Sequence, residues 1–546
     1  MIPSIFKILS VDKRLLWGAM IFLIGSEAMP LAYPILFQRM IDGALNQMTS
    51  SLPYWIMLYA CVVLLHSLFL YFRIFLGQCM AFKATHGLRL RLFEHLKKIP
   101  IQYFQKTPVG NTLTRLGSDT DSCGSFYSDG FLELFSNLAL LLFSILVMFS
   151  YDARLALMTM VFFPFMVGIS AWFRILFRKL QYQYRNELSS LNSFLQESLS
   201  GLSIIRVFAR QEWILEQFRT INQNYKKISL LYAKRYAGFF PIVQSFSDLS
   251  LVACYAGVLI IIKDESLSAG TITAFAWIAS IYTRPLREIS DRINTLQSAM
   301  AAGDRIQEFL EIPVDPSVHA PLVDLDPAAQ RSIEFRNVHF AYRKDQPVLK
   351  DLSFSISRGS RVALVGMTGC GKSTVLNMLL KFVEPSQGTV FLQGSPIGSI
   401  PTSQLFQKIA WLGQDTYLFP GTLKDNIVLG QEFNGDRLQD VCRSAQIFDW
   451  IESLPHGMET VVGPHGQDLS MGQRQLVAYA RVLYQSPEIL LLDEPTASID
   501  SQTEHALNKA LEEVLKNRTA LIVSHRPATI AACDRILILH QGKIHP

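Results

Sequence analysis

The chain contains 546 residues, of which half are hydrophobic and 17% are charged, and its formal net charge is +5. A chain this long and this apolar is not an ordinary soluble protein; it predicts membrane spans and at least one further domain. The basic residues fall in loops beside apolar segments, so the charge does not favour nucleic acid as a partner. The seven cysteines have no regular spacing, which indicates reduced thiols.

Six apolar segments occupy the first 300 residues, each long enough to cross ~30 Å of hydrocarbon as a helix rising ~1.5 Å per residue. The sixth is apolar only as far as Tyr282, beyond which Arg284 and Glu288 are spaced to pair along one helical face. We expect helix to about Glu311 and then a proline-rich linker. The predicted spans cover residues 15–37, 54–75, 131–149, 155–173, 239–262 and 272–296.

The distribution of Lys and Arg predicts how these spans are oriented. Three of the connecting segments contain only Arg39, Arg154 and Lys263 as basic residues, whereas residues 83–130 and 174–238 are rich in Lys and Arg. By the positive-inside rule, these two long segments and both termini are cytosolic. Both segments are too long for simple turns, so we expect them to continue the spans as long helices and to end in contact with the second half.

Ionisable side chains inside the predicted spans are few, and two interpretations of them remain open. Charge at bilayer depth is costly, so such residues either make buried hydrogen bonds between neighbouring helices or line a substrate path. The sequence does not choose between these alternatives. The residues that would line such a path are Glu27, His66, Asp248 and Arg284.

From Ser332 the pattern changes to short β-runs, glycine turns and amphipathic helices, which predicts a soluble α/β domain. Its centre is residues 362–374, VALVGMTGCGKST, in which an apolar run leads through a glycine-rich loop into a helix. This is a phosphate-binding loop, because glycines let backbone N–H groups close around a polyphosphate and the helix start favours an anion. The predicted nucleotide contacts are Gly366, Thr368, Gly369, Cys370, Gly371, Lys372, Ser373 and Thr374, with Lys372 as the cation and the Ser373 hydroxyl for Mg²⁺.

Three further positions have a chemistry that suits a nucleotide. Asp493 and Glu494 end a buried apolar run, where Asp493 can hold Mg²⁺ through water and Glu494 can polarise the attacking water. Tyr342 precedes the phosphate loop and can stack on adenine, although plain packing in an edge strand would place a tyrosine there as well.

The start of the predicted helix over residues 474–484 offers a second anion site. Ser470, Gly472 and Gln473 open that helix, so a hydroxyl and backbone N–H groups can face an anion there.

The order and spacing of these motifs resemble the nucleotide-binding domain of ATP-binding cassette transporters. With six spans ahead of it, the chain resembles an exporter-type half-transporter, similar to bacterial multidrug-resistance exporters. The resemblance implies an all-α six-helix transmembrane domain (residues 1–312), a linker (313–331) and an α/β P-loop nucleotide-binding domain (332–546), in the bacterial inner membrane. In the first half it rests on Tyr103-Phe104-x-x-Thr107-Pro108-x-Gly110-Asn111, Asp119-Thr120-Asp121 and Glu197-x-x-x-Gly201.

The resemblance also implies roles for residues that local chemistry leaves unassigned. Gln414 would sense the metal and the attacking water, His525 would contact the γ-phosphate, and Asp500 would lie at the nucleotide. The anion facing Ser470 would be the γ-phosphate bound by another copy of the domain. Because the chain has one phosphate loop and one such helix start, two chains would meet head to tail, as a homodimer or with a second half-transporter.

Two positions depart from the family pattern. Met471 stands where the family usually has glycine, and we expect it to be tolerated if Ser470 and Gly472 make the phosphate contacts. Pro464 stands where many exporters have glutamate, which puts one contact to the membrane domain in question.

The expected activity is ATP- and Mg²⁺-dependent export of a hydrophobic or amphipathic substrate, such as a drug-like compound, lipid or peptide. One alternative is a lipid flippase, which would use the same parts on a membrane lipid. The other is an ATP-gated channel or regulatory membrane protein with little hydrolysis, and complete acids at Asp493 and Glu494 speak against it.

Overall fold

The chain divides into two compact units in the computed structural model, Met1–Lys97 with Val109–Ile312, and Lys98–Pro108 with Pro313–Pro546. The first unit is helical and the second is built of strands and helices. The structure describes residues 12–46, 49–261, 268–318, 320–326, 329–343, 345–414, 416–494 and 501–545.

Among its described residues, the first unit contains five helical segments that are long and apolar enough to cross a membrane, and one shorter apolar helix, Ala269–Ile281. Large apolar side chains such as Met57, Leu64 and Trp172 are exposed on them. Helices satisfy their own backbone hydrogen bonds, so these side chains can face lipid. In chain order the α-helices up to residue 310, of which α4 belongs to the second unit, are α1 Lys13–Ala28, α2 Ala32–Leu45, α3 Leu52–Leu96, α4 Ile101–Lys106, α5 Val109–Thr114, α6 Thr120–Ser125, α7 Glu133–Tyr151, α8 Ala153–Met160, α9 Phe163–Ser200, α10 Leu202–Val207, α11 Gln211–Ile261, α12 Ala269–Ile281 and α13 Arg284–Leu310.

Three of these helices are much longer than a membrane is thick. Helices α3, α9 and α11 contain 45, 38 and 51 residues. At ~1.5 Å per residue, α11 is roughly 75 Å long, against ~30 Å for the hydrocarbon core. This confirms the prediction that the two long basic segments continue the spans as helices.

Prolines interrupt the regular helix within two of the predicted spans. The helix over residues 272–296 is not continuous, because Tyr282 and Thr283 form a turn between α12 and α13, although both residues keep right-handed helical torsions. Pro285 stands in the first turn of α13, and proline has no N–H to continue a helix arriving from Ile281. Pro164 marks a similar turn at the start of α9, but Ala153–Ser200 remains one helical segment long and apolar enough to cross a membrane, so the predicted span 155–173 is confirmed.

The second unit is organised around a six-stranded sheet with the order β12-β11-β3-β10-β9-β6, in which β12 alone is antiparallel to its neighbour. A four-stranded antiparallel sheet has the order β2-β1-β4-β5. The strands are β1 Arg331–Arg343, β2 Gln346–Ser357, β3 Arg361–Val365, β4 Gln387–Leu392, β5 Ser395–Pro396, β6 Ile409–Leu412, β7 Gly421–Thr422, β8 Val461–Val462, β9 Ile489–Asp493, β10 Thr519–Val523, β11 Arg535–His540 and β12 Lys543–His545. The helices are α14 Lys372–Leu379, α15 Thr402–Lys408, α16 Leu423–Val428, α17 Gly435–Ser444, α18 Phe448–Glu452, α19 Met471–Gln485, α20 Ser501–Leu515 and α21 Pro527–Ala531.

Both faces of the parallel sheet are buried, which explains why its strands read as unbroken apolar runs. Along β9, Ile489 and Leu491 pack into the cluster that contains α14, whereas Leu490 and Leu492 pack into the cluster that contains α19. Successive side chains of a strand point to opposite faces. The helix of the phosphate loop and α19 therefore cover opposite faces of the same sheet.

Two glycines with the same backbone torsion allow the packing of the four-stranded sheet to be tested. Gly388 and Gly394 both have φ of +83°, a conformation that costs an alanine roughly 1–2 kcal/mol. A Cβ at Gly388 would in addition lie 2.2 Å from the Asn337 carbonyl oxygen. A Cβ at Gly394 meets nothing within 4 Å. We expect Gly388→Ala to lower the melting temperature, followed by intrinsic fluorescence, by roughly twice as much as Gly394→Ala or more. Equal shifts would contradict this packing.

Candidate functional site

Four parallel strand ends bring the predicted site residues to one edge of the sheet. Strands β3, β10, β9 and β6 are neighbours in that order. Residues that follow parallel strands meet outside the carboxyl edge of the sheet. The phosphate loop follows β3, His525 follows β10, Asp493 and Glu494 end β9, and Gln414 follows β6. At about 4.8 Å per strand, these groups line up across the edge in that order.

The phosphate loop has the backbone shape that its glycines permit. Gly371 has φ of +111° immediately before α14, a conformation that a Cβ would disfavour. The buried Lys372 folds back over the loop, where its Nζ donates to the carbonyl oxygens of Gly366 at 2.6 Å and Met367 at 3.1 Å. Ser373 is exposed in the first turn of α14. A cation and a hydroxyl therefore flank the backbone N–H groups at the start of this helix.

Tyr342 lies beside the same loop. Its Oη is 3.4 Å from Oγ1 of the buried Thr374, and its ring stands perpendicular to that of Phe340 with the centroids 4.8 Å apart. The tyrosine side chain is nevertheless 58% exposed, which leaves area for a planar ring to stack on. Among the remaining loop residues, Thr368 and Gly369 are exposed and Cys370 is half-buried.

The two acids at the end of β9 differ in their surroundings. Asp493 pairs in the sheet with Val523, and the Glu494 N–H donates to the Val523 carbonyl at 2.9 Å. Glu494 has φ of +49°, and its Oε1 lies 3.6 Å from Nε2 of His525. The left-handed turn thus ends the strand and places a carboxylate beside the imidazole at the sheet edge.

The charge around Asp493 fits a divalent cation. Burial raises the pKa of Asp493 and the Glu494 carboxylate raises it further, whereas Lys372 lowers it. Two adjacent carboxylates are therefore incompletely compensated by the protein. Mg²⁺ prefers oxygen ligands and takes few of them from a protein when phosphates supply the rest. The donor set at this edge, with Asp493, the Ser373 hydroxyl and the Gln414 amide oxygen as candidates, matches that preference.

The start of α19 is held by a capping box. The Gln473 N–H donates to the Ser470 hydroxyl at 3.2 Å, and the Ser470 N–H donates to Oε1 of Gln473 at 2.9 Å. The S-x-x-Q spacing is a sequence signature of this motif, although only an anion site was predicted there. Gly472 is buried, whereas Met471 is 40% exposed, so the side chain that replaces the family glycine lies toward solvent.

Gln414 lines a cleft of about 350 Å³ together with Tyr417, His465, Met471 and Arg474. The rings of Tyr417 and His465 are perpendicular, with centroids 4.8 Å apart. The cleft therefore connects the segment after β6 with the start of α19.

Two of the intramembrane candidates contact neighbouring helices. Glu27 on α1 pairs with the buried Arg73 on α3, which also donates to Glu133 on α7 at 3.1 Å. Nδ1 of His66 on α3 lies 2.7 Å from the Tyr33 hydroxyl on α2. Both contacts join neighbouring helices, as the first interpretation expects; the Tyr33–His66 contact is half-buried.

The other candidates differ from this pair. Asp248 accepts from Gln244 at 2.8 Å and Arg284 donates to Glu288 at 3.1 Å, each along its own helix and with an exposed side chain. Asp500 lies outside the described residues.

The sequence predicted that the first long segment contacts the second half, but it gave no signal for the residues that do so. Nε2 of Gln102, on α4, donates to the carbonyl oxygen of Lys381 at 3.2 Å, and the Lys98 carbonyl accepts from the Asp315 N–H at 2.8 Å. Lys381 follows α14, so the first long segment meets the chain just beyond the helix of the phosphate loop.

A phosphate loop, a pair of acids and a histidine at the carboxyl edge of a parallel sheet, on one chain with membrane-spanning helices, define a membrane-bound P-loop nucleotide hydrolase. Two protein-family models match the chain. The model described as the ABC transporter transmembrane region matches residues 16–286, and the model described as ABC transporter matches residues 349–497.

The comparisons with individual proteins agree with these matches. The chain is 31% identical over 545 residues to an uncharacterized ABC transporter ATP-binding protein, YfiC, of Bacillus subtilis, covering 99% of this chain and 90% of the relative. It is 30% identical over 475 residues to an ATP-dependent lipid A-core flippase of Haemophilus influenzae, covering 86% and 80%. A solved bacterial Atm1-family ABC exporter with ATP bound has the same fold, with a TM-score of 0.80 at 23% identity over 98% of this chain and 94% of that one.

The chain belongs to the ABC transporter family. It is an exporter-type ATPase coupled to transport across a membrane.

The charge at Asp493 generates a prediction for Asp493→Asn. The pKa of Asp493 is higher in the folded state, so at pH values just above the ordinary aspartate pKa the folded protein binds more protons than the unfolded one. Without Mg²⁺, the stability of the folded state therefore falls as the pH rises through this range. Removing the charge should raise the melting temperature in EDTA at pH 7 by on the order of 2 °C and abolish the further rise produced by Mg·ATP. Asp440→Asn, at an exposed position on α17, is the matched control. A variant that kept the Mg·ATP shift would show that Asp493 holds no metal.

Proposed function

We propose that the protein is a primary active exporter that moves a hydrophobic or amphipathic substrate out of the bacterial cytosol or inner leaflet. ATP binding draws two nucleotide-binding domains together over two sites, and hydrolysis releases them. A ligand can drive such a change only through its different affinity for the two states. The observation that carries the proposal is the Glu494 carboxylate 3.6 Å from His525, at the sheet edge that also holds the phosphate loop.

Each residue at this edge has a role in the proposal. The Lys372 ammonium leaves its loop carbonyls for the β- and γ-phosphates, and Tyr342 stacks on adenine. Glu494 accepts the proton of the attacking water, and His525 donates to the γ-phosphate. Asp493, Ser373 and Gln414 would hold Mg²⁺, which neutralises phosphate charge when bound.

The active assembly is a head-to-tail dimer. Within one chain, α14 and α19 cover opposite faces of the sheet, which favours a site in which the start of α19 meets a nucleotide bound by another copy. Ser470 and Gly472 of one chain then face the γ-phosphate held by its partner. A homodimer and a heterodimer both satisfy this geometry.

The turn in the middle of the second long segment, between α9 and α11, supports the same arrangement. Val207 at the end of α10 is 80% exposed, and Phe208 after it is 69% exposed. Clustered exposed apolar side chains mark interaction sites. We place the nucleotide-binding domain of the partner chain against this surface, as the counterpart of the contact that α4 makes within the second unit.

Lipid translocation is the second candidate function. The lipid A-core flippase of Haemophilus influenzae is 30% identical to this chain. An apolar cleft of about 360 Å³ between α2 and α7, lined by Leu31, Ile35 and Leu146 among others, has the size and polarity for part of an acyl chain. The exposed charges of Asp248 and Arg284 are the candidates for the polar part of a substrate path.

Reconstitution separates the candidates. Purified protein in liposomes is tested for which compounds or lipids raise ATPase activity and cross the bilayer. Movement of a water-exposed amphipathic compound supports export, and movement of a labelled lipid alone supports a flippase. ATP binding with little hydrolysis and no movement of either would favour the regulatory alternative.

Glu494→Gln tests the catalytic assignment. The amide keeps the shape of the site but cannot accept a proton, so ATP should still bind while turnover falls by a factor of about 100 or more. With hydrolysis blocked, the closed dimer should accumulate in Mg·ATP, which chemical cross-linking and size-exclusion chromatography detect. Glu512→Gln, at an exposed position on α20, controls for the substitution itself. Undiminished hydrolysis in Glu494→Gln would rule out this base.

Phe208→Asp tests the proposed surface of the second long segment. The side chain is already exposed, so the melting temperature should change little, but a buried carboxylate in the partner contact should lower transport at least fivefold. Leu322→Asp, at a 78% exposed position in the linker, is the matched control. Transport that responds equally to both substitutions would mean that Phe208 makes no specific contact.

A further inference from the structure

Helices α9 and α11 pack against each other through a series of aromatic rings. The Phe177 ring lies 5.7 Å from that of Tyr232 and 5.8 Å from that of Tyr236, and the Tyr184 and Tyr225 hydroxyls are 3.0 Å apart. These contacts fix the register of the antiparallel pair. They place Phe177 level with residues 232–236 and Tyr184 level with Tyr225.

This register groups exposed cations at two distances from the membrane. Arg178 lies five residues beyond Phe173, where the apolar part of α9 ends, and Lys234 lies five residues before Phe239, where that of α11 begins. Each therefore stands roughly 8 Å from the hydrocarbon. We name Arg178, Lys179, Lys234 and Arg235 the proximal cations, and Arg185, Lys226 and Lys227, about 10 Å farther along the helices, the distal cations.

The proximal and distal cations have no carboxylate partner among the described residues. The first long segment is different, since Arg89 pairs with Asp121 at 2.6 Å and Asp119 pairs with Arg305. The positive-inside rule, by which Lys and Arg orient the spans in the membrane, explains why both long segments are basic. It does not explain why the cations of the second segment are left without acidic partners.

The depth of the proximal cations indicates what they face. A bilayer of 40–45 Å with a core of about 30 Å leaves roughly 5–8 Å of headgroup region on each side. The proximal cations lie at the phosphates of that region, whereas the distal cations lie about a Debye length beyond them. Trp172 is exposed one residue before Phe173, and tryptophan is enriched at this interface.

We propose that the proximal cations form a binding surface for anionic phospholipid headgroups of the cytosolic leaflet. Arginine and lysine bind phosphate by charge-assisted hydrogen bonds, and clusters of four to eight such residues beside a span attract anionic lipid. The surface rests on the proposed cytosolic orientation of α9 and α11, but it requires no nucleotide and no transport.

Two variants with equal loss of charge test the proposal. One replaces Arg178, Lys179 and Lys234 by Gln, and the other replaces Arg185, Lys226 and Lys227 by Gln. Each is reconstituted in nanodiscs of phosphatidylcholine with one fifth palmitoyl-oleoyl phosphatidylglycerol, and the lipids that stay bound are counted by native mass spectrometry without ATP. We expect the proximal variant to lose the preference for phosphatidylglycerol about tenfold and the distal variant to remain within twofold of the unmodified protein.

Several outcomes would overturn the proposal. If both variants lost the preference for phosphatidylglycerol equally, net charge and not the position of the cations would explain it. If neither variant lost the preference, the proximal cations would not bind anionic lipid. Dissociation of the dimer in the proximal variant would identify the surface as a contact with a second copy. If the proximal variant does not insert into nanodiscs, the unmodified protein tests the proposal. Its preference for phosphatidylglycerol should fall at ~1 M salt, and a preference that does not depend on salt contradicts the proposal.

Discussion

The parallel pairing of β3, β10, β9 and β6 is the constraint on which the catalytic half of this molecule depends. Parallel strands need both faces covered, and the burial of Ile489 to Leu492 on alternating sides meets that requirement. Once the strands are parallel, their carboxyl ends must lie at one edge. The approach of Glu494 to His525 is therefore a property of the sheet as a whole.

The chain just beyond the phosphate-loop helix contacts the first long segment. Helix α14 starts at the phosphate loop, and Lys381 just beyond its end accepts a hydrogen bond from Gln102 of the first long segment. The Lys381 ammonium donates to the Ile400 carbonyl, and burial lowers the pKa of this lysine although Asp315 and Glu384 raise it. Gln102 therefore contacts the chain two residues beyond the end of the helix that starts at the phosphate loop. The amide and the backbone carbonyl are far apart in sequence and carry no pattern that would reveal their contact.

The sequence predicted those features that are encoded locally. The phosphate loop was readable because an apolar strand, glycines, a lysine and a helix follow one another without interruption. The order of the strands was not readable, since it depends on pairing between residues far apart, and the roles of Gln414 and His525 came from resemblance alone. Apolar length outweighed the proline signal in the prediction of the spans, so the turns at Pro164 and Pro285 were missed. The capping box of Ser470 and Gln473 was present in the sequence, but the same residues suggested an anion site.

The cationic side chains of the membrane-spanning unit have different partners inside the bilayer and at its surface. Arg73 sits among lipid-facing helices and finds its partners in Glu27 and Glu133, because an isolated cation at that depth would lose its hydration. Arg178 and Lys234 stand only some 8 Å outside the hydrocarbon, and no carboxylate of the described chain meets them. At that depth lipid phosphate is the most concentrated anion, so the protein needs to supply none. The same residue types thus bind helix to helix within the bilayer and helix to lipid at its surface.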